Sequence, residues 1–157
     1  MEKRKRNMIW QYISVELVIA AIAWFTAQLI KTIISMVVNH TVNFNIAFGS
    51  GGMPSSHSAT VCALTTAIGV NCGTGTPIFG LAFILSFIVM YDAIGVRRET
   101  GNQGKAINNM MEIFEDMGKP IPADKKFKEL VGHTPLQVVL GALLGIAEGL
   151  LLANLLG

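Results

Sequence analysis

The sequence predicts an all-α protein: a polytopic membrane bundle of about four embedded helices with one amphipathic helix on its surface. Three observations carry this expectation. Of 157 residues, 52% are hydrophobic and only 14% charged, whereas a soluble globule carries about 25% charged residues. The mean hydropathy is +0.53. The charges are also segregated. Residues 1–6 hold four Lys/Arg and one Glu, residues 97–129 hold seven Lys/Arg and six Asp/Glu, and Glu16, Lys31, Asp92 and Glu148 stand alone elsewhere. This pattern excludes a nucleic-acid binder, which needs a basic stripe on a soluble surface. The length fits one domain over 1–157, with a basic N-terminal segment at 1–12 and a polar loop at 97–132.

The first span is expected over residues 13–38. Its basic leader looks like the start of a signal peptide, but the apolar run is long enough to cross a bilayer and lacks a small-residue cleavage site, so it reads as a retained helix. Lys31 interrupts this span. An uncharged, Gly-rich loop follows over 39–53, and His40 reads as an ordinary loop residue. Residues 55–70 are apolar but dominated by Ala, Ser, Thr and Cys, which fits either a short packed span or a re-entrant helix.

Residues 76–96, led by Pro77, form another strong span. In the polar stretch beyond it, residues 103–117 place Ile107, Met110, Met111 and Phe114 on one side, the mark of an amphipathic surface helix. The last span is expected over 136–156. Its Gly141, Gly145 and Gly149 make a double GxxxG ridge that another helix backbone can approach, within the chain or in a homo-oligomer. Cys62 and Cys72 lack CxxC spacing and read as small buried hydrophobes.

Four crossings would bring Lys31 and the 51–58, 91–98 and 132–137 segments to one membrane face. In GGMPSSHSA (51–59), Pro54, Ser55 and Ser56 open a helix whose N-terminal N–H groups suit a phosphate, although such a start taken alone is more often just a plain cap. His57 would face that pocket, and an imidazole, with an ordinary pKa of about 6.5, exchanges protons at working pH. His133 stands at the mouth of the last span as a candidate nucleophile. Thr134, Pro135 and Gln137 form a capping box beside it.

A lysine inside an apolar span implies a polar cavity or snorkelling, and Gln28 shares the face of Lys31. Arg97 and Arg98 supply forks for phosphate oxygens, or else anchor the topology. Asp92 would pair with an Arg or orient a histidine. Glu148, about 22 Å along the helix from His133, is too far away to join them and is expected to pair with a basic residue near the other face.

Taken together, GGMPSSHSA (51–59), YDAIGVRRETGNQ (91–103) and KELVGHTPLQVVLGALLGI (128–146) resemble the divergent branch of the type 2 phosphatidic acid phosphatases (PAP2). These are relatives of acid phosphatases and vanadium-dependent haloperoxidases. The resemblance implies a PAP2-like fold and a phosphatase that works through a phosphohistidine without metal or cofactor. It makes Lys31 a phosphate ligand, matches Pro54, Ser55, Ser56 and His57 to the donor segment with its acid histidine, and makes His133 the nucleophile. Two positions depart from the superfamily pattern. Gln137 replaces an orienting Asp, and Phe127 stands where an Arg is usual; Arg97 or Arg98 and Asp92 are the candidate substitutes.

The expected function is therefore hydrolysis of a lipid phosphomonoester by His133, with His57 as acid and base and Lys31, Ser55, Ser56, Arg97 and Arg98 on the phosphate. Phosphatidylglycerophosphate is the favoured substrate through the resemblance. The rival is a non-catalytic membrane protein that binds or transports anionic lipid headgroups. With an odd number of crossings between them, the two basic segments lie on opposite faces of the cell membrane, and the loop richer in Lys/Arg puts the site on the cytoplasmic side. Were 55–70 re-entrant, both segments would face the cytoplasm.

Overall fold

The computed structural model describes residues 13–39, 52–118 and 133–156. They form five helices: α1 (Val15–Asn39), α2 (Ser56–Cys72), α3 (Pro77–Ile94), α4 (Val96–Asp116) and α5 (Pro135–Leu156). By length and composition α1, α5 and the run Pro77–Asp116, which contains α3, can each cross a membrane.

The 55–70 segment is one continuous helix, α2, and it is the hub of the bundle, touching α1, α3 and α5. At one end of the α1–α2 pair Asn71 Nδ2 donates to Glu16 Oε1 at 2.9 Å. At the other end the stem of Lys31 lies over Gly52, just before α2. The two helices are therefore antiparallel along the whole of α2, and the re-entrant alternative does not hold among the described residues. At 17 residues α2 measures about 25 Å. That is short for a span, but α2 sits inside the bundle, with Ala59, Ala63 and Ala67 fully buried.

Small side chains explain that position, since they let helix backbones approach where lipid supplies no hydrophobic drive. The glycine ridge of α5 faces α2 of the same chain. A Cβ on Gly141 would overlap the Ser55 carbonyl oxygen, one on Gly145 the Ala59 carbonyl oxygen, and one on Gly149 would come within 2.7 Å of Thr66 Cβ. These contacts advance together along both helices, so α2 and α5 run parallel. The ridge's partner is thus internal. Near the other end Ile19, Ala23, Ala63, Ala67 and Ala153 close the apolar core.

A hydroxyl clasp fastens α3 to α2. Thr65 Oγ1 and Ser86 Oγ lie 2.7 Å apart, and both reach the Val61 and Ala82 carbonyls. Thr76 caps α3 by accepting from Phe79 N–H, with Pro77 in the first turn. Only Ala82, Ser86 and Ala93 of α3 are buried, while Leu81, Phe83, Ile84, Phe87 and Ile88 are exposed. A surface this apolar is stable in hydrocarbon, not in water.

Three sequence expectations are corrected. The helix after α3 begins at Val96, one residue beyond it, rather than at 103, because Gly95 bends the chain without ending its hydrogen bonding: Gly95 N–H donates to Tyr91 O and Glu99 N–H to Gly95 O. Met111 is buried, apart from the exposed Ile107, Met110 and Phe114, since its position on the wheel turns it towards the face that carries buried Gly101, Gly104 and Asn108. Cys62 is buried as expected, but Cys72 is exposed at the end of α2.

Candidate functional site

The end of α1, the start of α2, the end of α3 and the start of α5 meet at one end of the bundle, as the alternating helix directions require. Lys31 is 3% exposed there. Its Cγ and Cδ would lie 2.9 Å from a Cβ on Gly52, whose φ of +89° is itself a glycine conformation. The absent side chain makes room for the lysine stem.

Ser55 is the N-cap of α2. Its Oγ accepts from Ser58 N–H at 3.4 Å, and its own N–H donates to Gln137 O at 3.0 Å. Ser55 thus joins two helix starts while its hydroxyl proton remains available to a ligand. Ser56 is buried beside it, and its carbonyl accepts from Thr60 Oγ1. The N-terminus of α2 turns the positive end of its dipole towards this region, an arrangement that favours an anion.

The expected capping box is present at α5. Gln137 N–H donates to Thr134 Oγ1 at 3.4 Å, and Thr134 N–H donates to Gln137 Oε1 at 3.1 Å. The same Oε1 lies 3.2 Å from His133 Nδ1. Two groups converge on one amide atom, and because Thr134 supplies a proton that atom is the oxygen. An oxygen with no proton to give requires Nδ1 of His133 to carry the hydrogen. The lone pair of the ring is then on Nε2.

His133 is 3% exposed and His57 is half-buried. Their ring centroids are 6.1 Å apart at an interplanar angle of 62°. Residues from two chain segments far apart in sequence, both proposed for proton or phosphoryl transfer, thus become neighbours. Among the described residues no group of three or more His, Cys, Asp or Glu could hold a metal ion.

The other expected residues are placed less directly. Gln28 precedes Lys31 by three residues, and its Oε1 is buried with no hydrogen-bond partner among the described residues. Pro54 follows a cis peptide bond immediately before the α2 cap. Asp92 is half-buried in the last turn of α3, at the site end. Arg97 and Arg98 stand in the first turn of α4, but their side chains, like His40 and Phe127, lie outside the described residues. Glu148 is remote along α5, and its Oε2 is buried without a partner among the described residues; the basic residues at 1–6, near the face where its ion pair is expected, lie outside them.

Two residues escaped the sequence reading. Gly52 was part of a generic glycine-rich loop, and only the fold reveals the lysine above it. Ser58 is fully buried, and its Oγ has no hydrogen-bond partner among the described residues. Its spacing from Cys62 and Thr65 puts it on the α3-facing side of α2. The one signal for it was the third serine of PSSHS.

The model of a family described as the Divergent PAP2 family matches residues 14–148. An uncharacterized membrane protein of Bacillus subtilis (strain 168), YuiD, is 39% identical over 136 residues, which cover 81% of this chain and 86% of that protein. No solved structure matches.

Proposed function

Because the chain belongs to the Divergent PAP2 family, we propose that this membrane protein is a lipid-phosphate phosphatase that acts through a phosphohistidine. The observation that carries the proposal is the His133–Gln137 contact, which fixes the tautomer of a buried histidine beside a second one.

In the first step Nε2 of His133 attacks phosphorus in line, the N–P bond forms and the ester P–O bond breaks. His57 gives its proton to the departing alcohol. In the second step His57 takes a proton from water, the resulting hydroxide attacks phosphorus, and the N–P bond breaks to release inorganic phosphate. Gln137 accepts the Nδ1 hydrogen throughout. Lys31, Ser55, Ser56, Arg97 and Arg98 hold the phosphate oxygens, and Gln28 and Asp92 support them. Positioning and charge neutralisation carry most of the rate in such reactions. A site at the end of a bundle with apolar, lipid-facing walls suits a substrate whose chain stays in the bilayer. Phosphatidylglycerophosphate is the preferred candidate, ahead of phosphatidic acid and polyprenyl phosphates.

One observation favours a second reading, a non-catalytic binder or transporter of anionic lipid headgroups. Gln137 is neutral, so it orients His133 but stabilises a charged imidazolium less than a carboxylate would. Phosphate release from a panel of lipid phosphates in mixed micelles with EDTA separates the two readings. Release by the wild type that is lost in His133→Ala supports the phosphatase. No release from any lipid by folded protein supports the binder.

The site belongs on the cytoplasmic side of the cell membrane under this reading, because its face carries the loop with seven Lys/Arg. Labelling of Lys3→Cys but not Pro120→Cys by an impermeant thiol reagent in whole cells is the expected result. Labelling of Pro120→Cys alone would reverse the orientation.

A further inference from the structure

Beyond Arg97 and Arg98 in its first turn, α4 takes no part in the proposed function, yet this helix has three distinct flanks. At 100° per residue Ile107, Met110, Ile113, Phe114 and Met117 fall within one arc of about 120°. All five are exposed, with Met110 at 56%, Ile113 at 59% and Met117 at 66%. Gly101, Gly104, Asn108 and Met111 form a second, buried arc. Lys105, Asn109, Glu112 and Asp116 form a third, which is polar and exposed. The apolar arc is thus not the surface by which the protein holds the helix, and it is not the surface that faces water comfortably.

What covers this arc follows from how the helix is connected. Only Gly95 separates α4 from α3, a membrane-crossing helix whose last turns expose Phe87, Ile88 and Tyr91. At 18 residues α3 is about 27 Å long, close to the thickness of a hydrocarbon core, so α4 starts near the level where such a span would leave it. We propose that α4 lies in the headgroup layer with the Ile107–Met117 arc sunk into the lipid of the leaflet on the site's side. An interfacial helix buries such an arc about 5–10 Å deep. The helix holds four acidic and three basic residues, so apolar burial drives the seating rather than attraction to anionic lipid. Neither statement depends on catalysis.

Depth-dependent quenching tests this directly. In a Trp10→Phe, Trp24→Phe background, Phe114→Trp and Met110→Trp each place a fluorophore in the arc, and Lys105→Trp places one on the polar flank. The full chain is reconstituted into phosphatidylcholine vesicles, either plain or brominated high on the acyl chain or near its end. Emission from positions 110 and 114 should fall about twofold with the shallow bromines and less with the deep ones. Position 105 should stay unquenched, and added anionic lipid should change none of this. Equal emission at 110 and 114 in plain and brominated vesicles overturns the proposal, whether those residues face water, the protein or a second copy. Equal quenching at 105 and 114 overturns it as well, because the whole helix would then be immersed.

Discussion

Gly145→Ala is the sharpest test of how the bundle is held together. The added methyl would overlap the Ala59 carbonyl oxygen and stand 2.9 Å from both Ala59 C and Ala59 Cα. The obstacle is backbone, which cannot rotate aside, so α5 must retreat by about 1 Å to reach normal contact distances. Overpacking of this kind costs about 1–3 kcal/mol. The retreat also stretches the 3.0 Å bond from Ser55 N–H to Gln137 O beyond hydrogen-bond range, a loss of about 1 kcal/mol. Against this, alanine exceeds glycine in helix propensity by about 1 kcal/mol. The expected net destabilisation is about 2 kcal/mol.

Gly80→Ala is the matched control, because nothing lies within 4 Å of a Cβ at that helical position. It should gain stability, by up to about 1 kcal/mol. Reversible unfolding by a denaturing detergent in mixed micelles, followed by circular dichroism, measures both variants. A Gly145→Ala protein as stable as Gly80→Ala would refute the backbone contact between α2 and α5.

Three more perturbations address the site and its surroundings. Gln137→Glu preserves the capping box and adds charge at the His133 Nδ1 hydrogen, so kcat for lipid-phosphate release should rise about tenfold, whereas Gln137→Leu should lower it by at least as much; an unchanged rate in both variants counts against an orienting role. Gly52→Ala forces a side chain into a left-handed backbone and against the Lys31 stem, so KM should rise about tenfold with little change in kcat; titration of release against lipid concentration reads the two apart. Glu148→Leu removes a carboxyl oxygen that has no partner among the described residues and should leave the unfolding midpoint unchanged or higher; a clear drop would reveal a partner beyond the described residues.

Much of this was legible because membrane helices announce themselves by length and apolarity, and because caps are local. The Thr134–Pro135–Gln137 box needs only its own residues to form, and it was found where the sequence put it. The meeting of Lys31 with the start of α2, and of His57 with His133, followed from counting alternating spans. The path of α2 was ambiguous because Ala, Ser and Thr are compatible with either a buried span or a re-entrant turn, and its long-range bonds to Glu16 and Ser86 decide between them. A glycine ridge declares that some backbone comes close but not which one. Met111 sits at the border of two arcs, where a small rotation of the helix changes its side. Gly52 and Ser58 acquire meaning only from residues distant in sequence.

The glycine contacts between α2 and α5 have a mechanical consequence for the paired histidines. His57 and His133 are carried at the starts of two helices whose separation is set by rigid main chain rather than by compressible side chains. Bilayers differ in thickness and lateral pressure, and a protein in them answers by tilting or sliding its lipid-facing helices. The exposed helix α3 is fastened to α2 through side chains, by the Thr65–Ser86 clasp and the Cys62–Met90 sulfur contact, and can absorb such movement. The α2–α5 pair acts as a fixed calliper, so the spacing of the two imidazoles is insulated from the thickness of the membrane around it.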